Sequence, residues 1–131
     1  MANEATVRDE GVFRGVVLAN VTGAGKSTGG ATEVEMLTPD VIDLGSDIAG
    51  GTAIFTVKET NGQGVDIRAY QNKSTTTADR ALIGSKQTIA ASGGDAFVAN
   101  VGRYLSVTAQ RTGGTDATVE IRIEIKGPPA R

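Results

Sequence analysis

Residues 118–126 read Thr-Val-Glu-Ile-Arg-Ile-Glu-Ile-Lys, and this stretch decides the fold. Its alternation puts Val119, Ile121, Ile123 and Ile125 on one face and Glu120, Arg122, Glu124 and Lys126 on the other. That is the period-two pattern of a strand with one face in a core and the other in water. The pattern recurs more loosely upstream. Ala53, Phe55 and Val57, then Val65, Ile67 and Ala69, then Leu105, Val107 and Ala109 share inward parity, and the residues between them are mostly Thr, Ser, Lys, Asp and Arg. Gly29-Gly30, Gly50-Gly51, Gly93-Gly94, Gly113-Gly114 and the run Asn61-Gly62-Gln63-Gly64 separate these segments. They are turn signals, because glycine supplies the positive φ that tight connections between strands require.

Strands are therefore expected at 12–19, 32–37, 52–58, 65–70, 87–91, 97–100, 103–109 and 117–126. About eight short strands with regular turns indicate an all-β fold, a single-domain antiparallel β-sandwich of jelly-roll type. The last two runs flank Arg111-Thr112-Gly113-Gly114-Thr115-Asp116 and are expected to form an antiparallel hairpin. Residues 12–19 are apolar on both faces, as in a central or covered strand. Segments 77–84 and 94–101 each have room for a helical turn. The first ten residues are polar and charged, and Gly127-Pro128-Pro129 stops the last strand because proline cannot donate to the ladder. The chain thus divides into a flexible polar N-terminal arm at 1–11, a β-sandwich domain at 12–126 and a C-terminal tail at 127–131.

A chain of 131 residues suits one domain and buries enough surface for a core without staples. Thirteen basic and 15 acidic residues leave a net charge of −2, which offers no clustered basic footprint for nucleic acid. Cysteine is absent, which removes disulfides, thiolate catalysis and cysteine zinc sites. Histidine is absent too, and with it go the Ser-His-Asp and Cys-His pairings and most transition-metal sites. The N-terminus lacks the basic start and apolar run of a signal peptide, and no run approaches the roughly 20 apolar residues of a membrane span. Synthesis in a cytoplasm is expected. Asn20-Val21-Thr22 and Asn72-Lys73-Ser74 match the glycosylation acceptor pattern but read as loop residues.

Gly23-Ala24-Gly25-Lys26-Ser27-Thr28 invites a phosphate-loop reading, since Gly-Lys-Ser closes the pattern that cradles nucleotide phosphates. The first glycine of that pattern is replaced by Asn20, and Gly29-Gly30 would break the helix that must begin at the lysine. A flexible hairpin loop is expected instead. Glu33 and Glu35 lie two apart, so they share a strand face, and paired carboxylates at such spacing perform glycoside hydrolysis when one sits in an apolar pocket. Interleaved Glu120, Arg122, Glu124 and Lys126 read as a solvent-facing ladder of alternating charge. Asp40, Asp43 and Asp47 form an oxygen-rich segment of the kind that can hold calcium, but a plain turn in which the Asp side chains bond nearby backbone is the expected reading. Tyr70 and Tyr104 are the side chains suited to stack a sugar ring. No catalytic, cofactor or metal site emerges from these residues, and the binding residues are unassigned.

The polar N-terminal stretch, the Gly/Thr/Ala-rich β-domain without Cys or His, and the closing runs Tyr104-Leu105-Ser106-Val107-Thr108-Ala109 and Ala117-Thr118-Val119-Glu120-Ile121-Arg122-Ile123 resemble the small capsid decoration, or cement, proteins of tailed bacteriophages. The likeness covers about residues 50–126 and carries no binding residue over to this chain. It implies a non-enzymatic virion protein, without cofactor or small-molecule substrate. Such a protein is made in the host cytoplasm, binds the outer capsid surface and bridges major capsid protein subunits as a dimer or trimer. It uses neither nucleic acid nor membrane. The alternative is a carbohydrate- or receptor-binding β-sandwich of a phage fibre or a cell-surface protein.

Overall fold

The computed structural model of the chain describes residues 4–6, 18–46 and 48–127. Among these residues the chain forms eleven strands and no helix: β1 (Glu4–Thr6), β2 (Leu18–Ser27), β3 (Val34–Glu35), β4 (Ile42–Asp43), β5 (Gly51–Glu59), β6 (Val65–Asn72), β7 (Ala81–Leu82), β8 (Gln87–Ile89), β9 (Gly94–Val101), β10 (Tyr104–Arg111) and β11 (Thr118–Lys126). Along β5 every odd residue is buried and every even one exposed, and β11 buries its odd residues in the same way. The two strands pair antiparallel with Ile123 opposite Phe55 and Ile121 opposite Val57. On the other side of β11, β2 sets Val21 against Ile123. Beyond β5, β9 sets Phe97 against Phe55, their rings stacked with centroids 4.7 Å apart. With β1 outside β2, this sheet runs β1-β2-β11-β5-β9.

The second sheet is centred on β10 and β6, which pair with Val107 opposite Ala69 and Ala109 opposite Ile67. Both β3 and β4 pair the free side of β10, near its two ends, and both β7 and β8 pair the free side of β6. Each of these couples acts as one interrupted strand. Counted so, eight strand positions wind as 1-8-3-6 in the first sheet and 2-7-4-5 in the second, with β1 added at one edge. This is the jelly-roll order. The four inward sets read from the sequence all meet in the core between the sheets, joined by Met36, Leu37, Leu44 and Ile48 from the connections that close its rim.

Four expectations are corrected. β10 and β11 do not form a hairpin: β11 pairs β2 and β5, whereas β10 pairs β3, β4 and β6. Their apolar faces look at each other across the core, and parity alone does not separate two strands lying side by side from two that oppose. The connection is pinned as a crossing, since Asp116 accepts hydrogen bonds from the Gly30 N–H and from Arg111, each at 2.9 Å, and Thr28 and Ala117 bond backbone to backbone at 3.0 Å. Residues 94–101 are a strand, and 77–84 hold turns and β7 rather than a helical turn. Gly23 to Ser27 belong to β2 and not to a loop. The glycines there suit a register shift against β11 and a close approach, because a Cβ on Gly25 would lie 3.1 Å from Thr118 Cγ2. Asn72, read as a loop residue, is buried at the end of β6, and Asn20-Val21-Thr22, read the same way, lies within β2. Of the expected strand 12–19, only the last two residues fall among those described.

One buried charge holds the connections together. Glu59, 1% exposed at the end of β5, has no cationic partner among the described residues. Its carboxylate instead accepts four backbone N–H groups: Asn61 at 2.8 Å and Thr118 at 3.0 Å on Oε2, Gln63 and Ser92 at 2.9 Å on Oε1. Burial pushes its pKa up, but the bonds from Ser92, Gln63, Thr118 and Asn61 outweigh that and hold it at about 2. The residues so gathered are the β5–β6 turn, the turn before β9 and the first residue of β11. Ser92 sits there with a left-handed φ of 51°.

Two outcomes follow. Ile123→Asp places an unpaired charge between Phe55 and Val21 and unfolds the domain, read by circular dichroism. Glu59→Gln turns two of the four acceptor positions over to an amide that donates, and costs about 3 kcal/mol in urea denaturation. The pH dependence has a definite sign. A folded pKa near 2 lies below the ordinary value of 4.5, so the folded state binds fewer protons there. Stability from Glu59 is complete above about 4.5 and is lost as pH falls towards about 2, and the Gln variant lacks this component.

Candidate functional site

The outer face of the second sheet gathers most of the chemistry-bearing residues read from the sequence. Register places Tyr70 opposite Ser106 and Tyr104 opposite Asn72, so the two tyrosines are diagonal neighbours on this face. Glu33 enters from the residue before β3 and accepts hydrogen bonds from the Tyr70 hydroxyl and from Thr108 Oγ1, the latter at 2.7 Å. Glu35, on β3, pairs with Arg80 at 2.9 Å. The structure thus brings Glu33, Glu35, Tyr70 and Tyr104 onto one face.

Residues 33 and 35 sit in different electrostatic settings. Burial pushes the Glu33 carboxyl up, but the Tyr70 and Thr108 hydroxyls and then Arg68 and Arg80 hold it below its ordinary value. For Glu35, burial prevails over the Arg80 bond and raises the pKa, and Oε1 is buried without a partner. A pair split in this direction is the division a carboxylate acid and base require. Here the groups are engaged with their own face. Arg80, which also reaches Ser106 Oγ at 3.4 Å, lays its guanidinium 3.9 Å from the centre of the Tyr70 ring and covers it. Beneath it the Asn72 amide and the Ser106 hydroxyl bond at 2.8 Å, both buried.

The remaining candidates are dispersed. Lys26, the lysine of the phosphate-loop-like run, donates to the backbone oxygen of Glu35 from within β2, so it joins the two sheets at their rim. Asp43 holds Arg103 through both carboxylate oxygens, at 2.8 and 3.0 Å, and accepts the Gly45 N–H at 2.9 Å. Arg103 is the first cause of its lowered pKa. Asp47 lies outside the described residues, and no group of three metal-ligating acidic side chains forms among those described. Lys58 and Glu120 pair at 3.3 Å on the outer face of the first sheet, as do Arg122 and Glu124 at 2.6 Å, which makes the alternating charges a solvent ladder.

Sequence reasoning missed two features. Glu59 occupies the next inward position after Ala53, Phe55 and Val57, one residue beyond the expected end of the strand. A carboxylate on inward parity before Asn-Gly-Gln-Gly was the available signal. The second feature is that β9, expected as a strand at 97–100, forms an edge of the first sheet with no further strand beside it among the described residues. Its Val98 is 65% exposed, beside Ile54 at 47%, directly opposite on β5.

Comparison with solved structures agrees with this architecture. A chain from Bacillus endospore appendages, a family of disulfide-linked pili, superposes with a TM-score of 0.57 at 19% identity over 99% of this chain and 96% of that one. A chain from infectious bursal disease virus, Gx strain, gives 0.50 at 10% identity over 85% of this chain and 33% of that longer one. The crystal structure of PirA gives 0.48 at 10% identity over 87% and 97%. At these identities the likeness is one of fold. No family model and no curated protein sequence matches the chain.

Arg80→Met leaves the half-buried Glu35 without its cation and uncovers Tyr70. It is expected to lower stability by about 1–2 kcal/mol, reduced from the cost of a fully buried pair by solvent access, as measured by the shift in urea midpoint.

Proposed function

We propose that this jelly roll is a non-enzymatic structural module of a virion or surface assembly, and in particular a decoration protein that binds the outside of a phage capsid and bridges major capsid protein subunits. The supporting observation is the contrast between its two outer faces. On the second sheet the groups suited to chemistry are bound to one another, whereas the first sheet ends in an eight-residue strand whose outer edge is unpaired among the described residues and which carries one half of an exposed apolar pair. An open edge is a surface for attachment by strand addition.

A chain of disulfide-linked pili and a chain of a virus share the fold, and on a shell of many equivalent sites modest contacts become firm attachment. With no cysteine, this chain attaches without disulfides, unlike the pili. A net charge of −2 suits an outer surface away from packaged DNA. The rival reading, a carbohydrate- or receptor-binding module, draws on Tyr70 and Tyr104 sharing a face. The guanidinium over Tyr70 counts against it.

Density-gradient co-sedimentation with undecorated phage shells tests the proposal. Saturable binding at a fixed copy number per shell is the expected result. A folded protein that stays at the top of the gradient overturns decoration, and a melting temperature raised by a sugar and sensitive to Tyr70→Ala or Tyr104→Ala would put the rival in its place.

A further inference from the structure

We propose that β9 is a homotypic interface through which two copies of this chain join their first sheets antiparallel about a two-fold axis, with Val98 opposite Val98 of the second copy. The backbone defines which groups are free. The Glu59 N–H bonds to the Gly93 carbonyl at 2.9 Å, and hydrogen-bonding direction alternates along an antiparallel ladder. Residues 95, 97, 99 and 101 therefore turn their backbone groups towards β5, while Ala96, Val98 and Asn100 turn theirs to the open edge. The same three residues have outward side chains, so a partner strand meets their backbone and their side chains together.

The register is set by symmetry. Two sheets continued across a two-fold axis must keep outward residues opposite outward residues. Placing Val98 on the axis sets Ala96 against Asn100 of the other copy, three hydrogen-bonded pairs carrying about six backbone bonds. It also aligns Ile54 and Val98 of one copy with Val98 and Ile54 of the other, an apolar row that covers the largest exposed apolar side chains of this sheet.

Charge and length select a second copy as the occupant. The outward positions of β9 are Gly94, Ala96, Val98 and Asn100, all neutral, whereas β11 in the same sheet carries Glu120, Arg122, Glu124 and Lys126. An acidic peptide finds no counter-charge there and a basic one meets only Asp95, whereas two copies meet without like charges opposed, since this register sets Asp95 opposite Val101 of the second copy. Among the other edges described, β1, β3, β4, β7 and β8 span three residues or fewer. Only β9 matches the length of β9. The edge has a partial guard: the Asp95 carboxylate accepts the Ala96 N–H at 2.8 Å and must release it when a partner strand docks.

Sedimentation of the full chain over a wide concentration range tests this. The expected result is a monomer–dimer equilibrium that Val98→Lys and Ala96→Lys each weaken at least tenfold, with unchanged circular dichroism because both side chains are exposed. Asp95→Ala frees the Ala96 N–H and tightens the dimer. As a check independent of those folds, Val98→Cys, the only cysteine in its chain, forms an intermolecular disulfide on oxidation, whereas Ser74→Cys does not. A wild-type chain that stays monomeric, or a dimer that neither lysine variant weakens, overturns the interface; a dimer that Asp95→Ala leaves unchanged or loosens overturns the register. The inference names a partner within the structural reading but fails separately from it. A dimer that ignores capsids defeats decoration alone, and a capsid binder that is monomeric at every concentration defeats this interface alone.

Discussion

The fold turns on a carboxylate bound by four amides. Glu59 brings a negative charge into a region where no cation among the described residues meets it, an arrangement that is costly unless every lone pair is used. Here the backbone itself supplies the positive ends of the dipoles. The result is positional. Because Thr118 is one of the four donors, the first residue of β11 is fixed relative to the last of β5, and a slip of one residue would turn Ile121, Ile123 and Ile125 out of the core. A hydrophobic strand that pairs well in several registers is thereby confined to one.

The two outer faces follow different rules. On the second sheet, polar side chains from β3, β6 and β10 and the arginine of the 73–80 connection satisfy one another, leaving few free groups. On the first, charge is concentrated along β11 at the centre and vanishes towards β9. One outer face thus turns its polar groups upon themselves, and the other presents neutral side chains along β9.

Much of the sandwich was readable because alternation survives wherever one face is wet. The inward residues of β5, β6, β10 and β11 could be named from parity, and so could the jelly-roll class. What parity does not carry is which sheet a strand joins, so β10 and β11 read as neighbours although they oppose. Nor does it show that a glycine-rich run such as 23–27 is a bulged strand, since the glycines answer to a close partner in β11 that lies roughly a hundred residues away. The meeting of Glu33, Glu35 and Tyr70 was only partly readable. The spacing of the glutamates placed them on one face, but Arg80 reaches them from a connection with no periodic pattern at all.

The order of the first sheet also governs when the molecule is able to exist. Its middle strand, β11, follows every other described strand in the chain, and it lies between β2 and β5, made much earlier. Until it emerges, β2 and β5 have no common partner and the first sheet lacks its centre, so the nascent chain must be kept from aggregating while the earlier strands wait for it. Synthesis of residues 118–126 is then the event that permits closure, and a chain halted before Thr118 lacks the centre of a sheet.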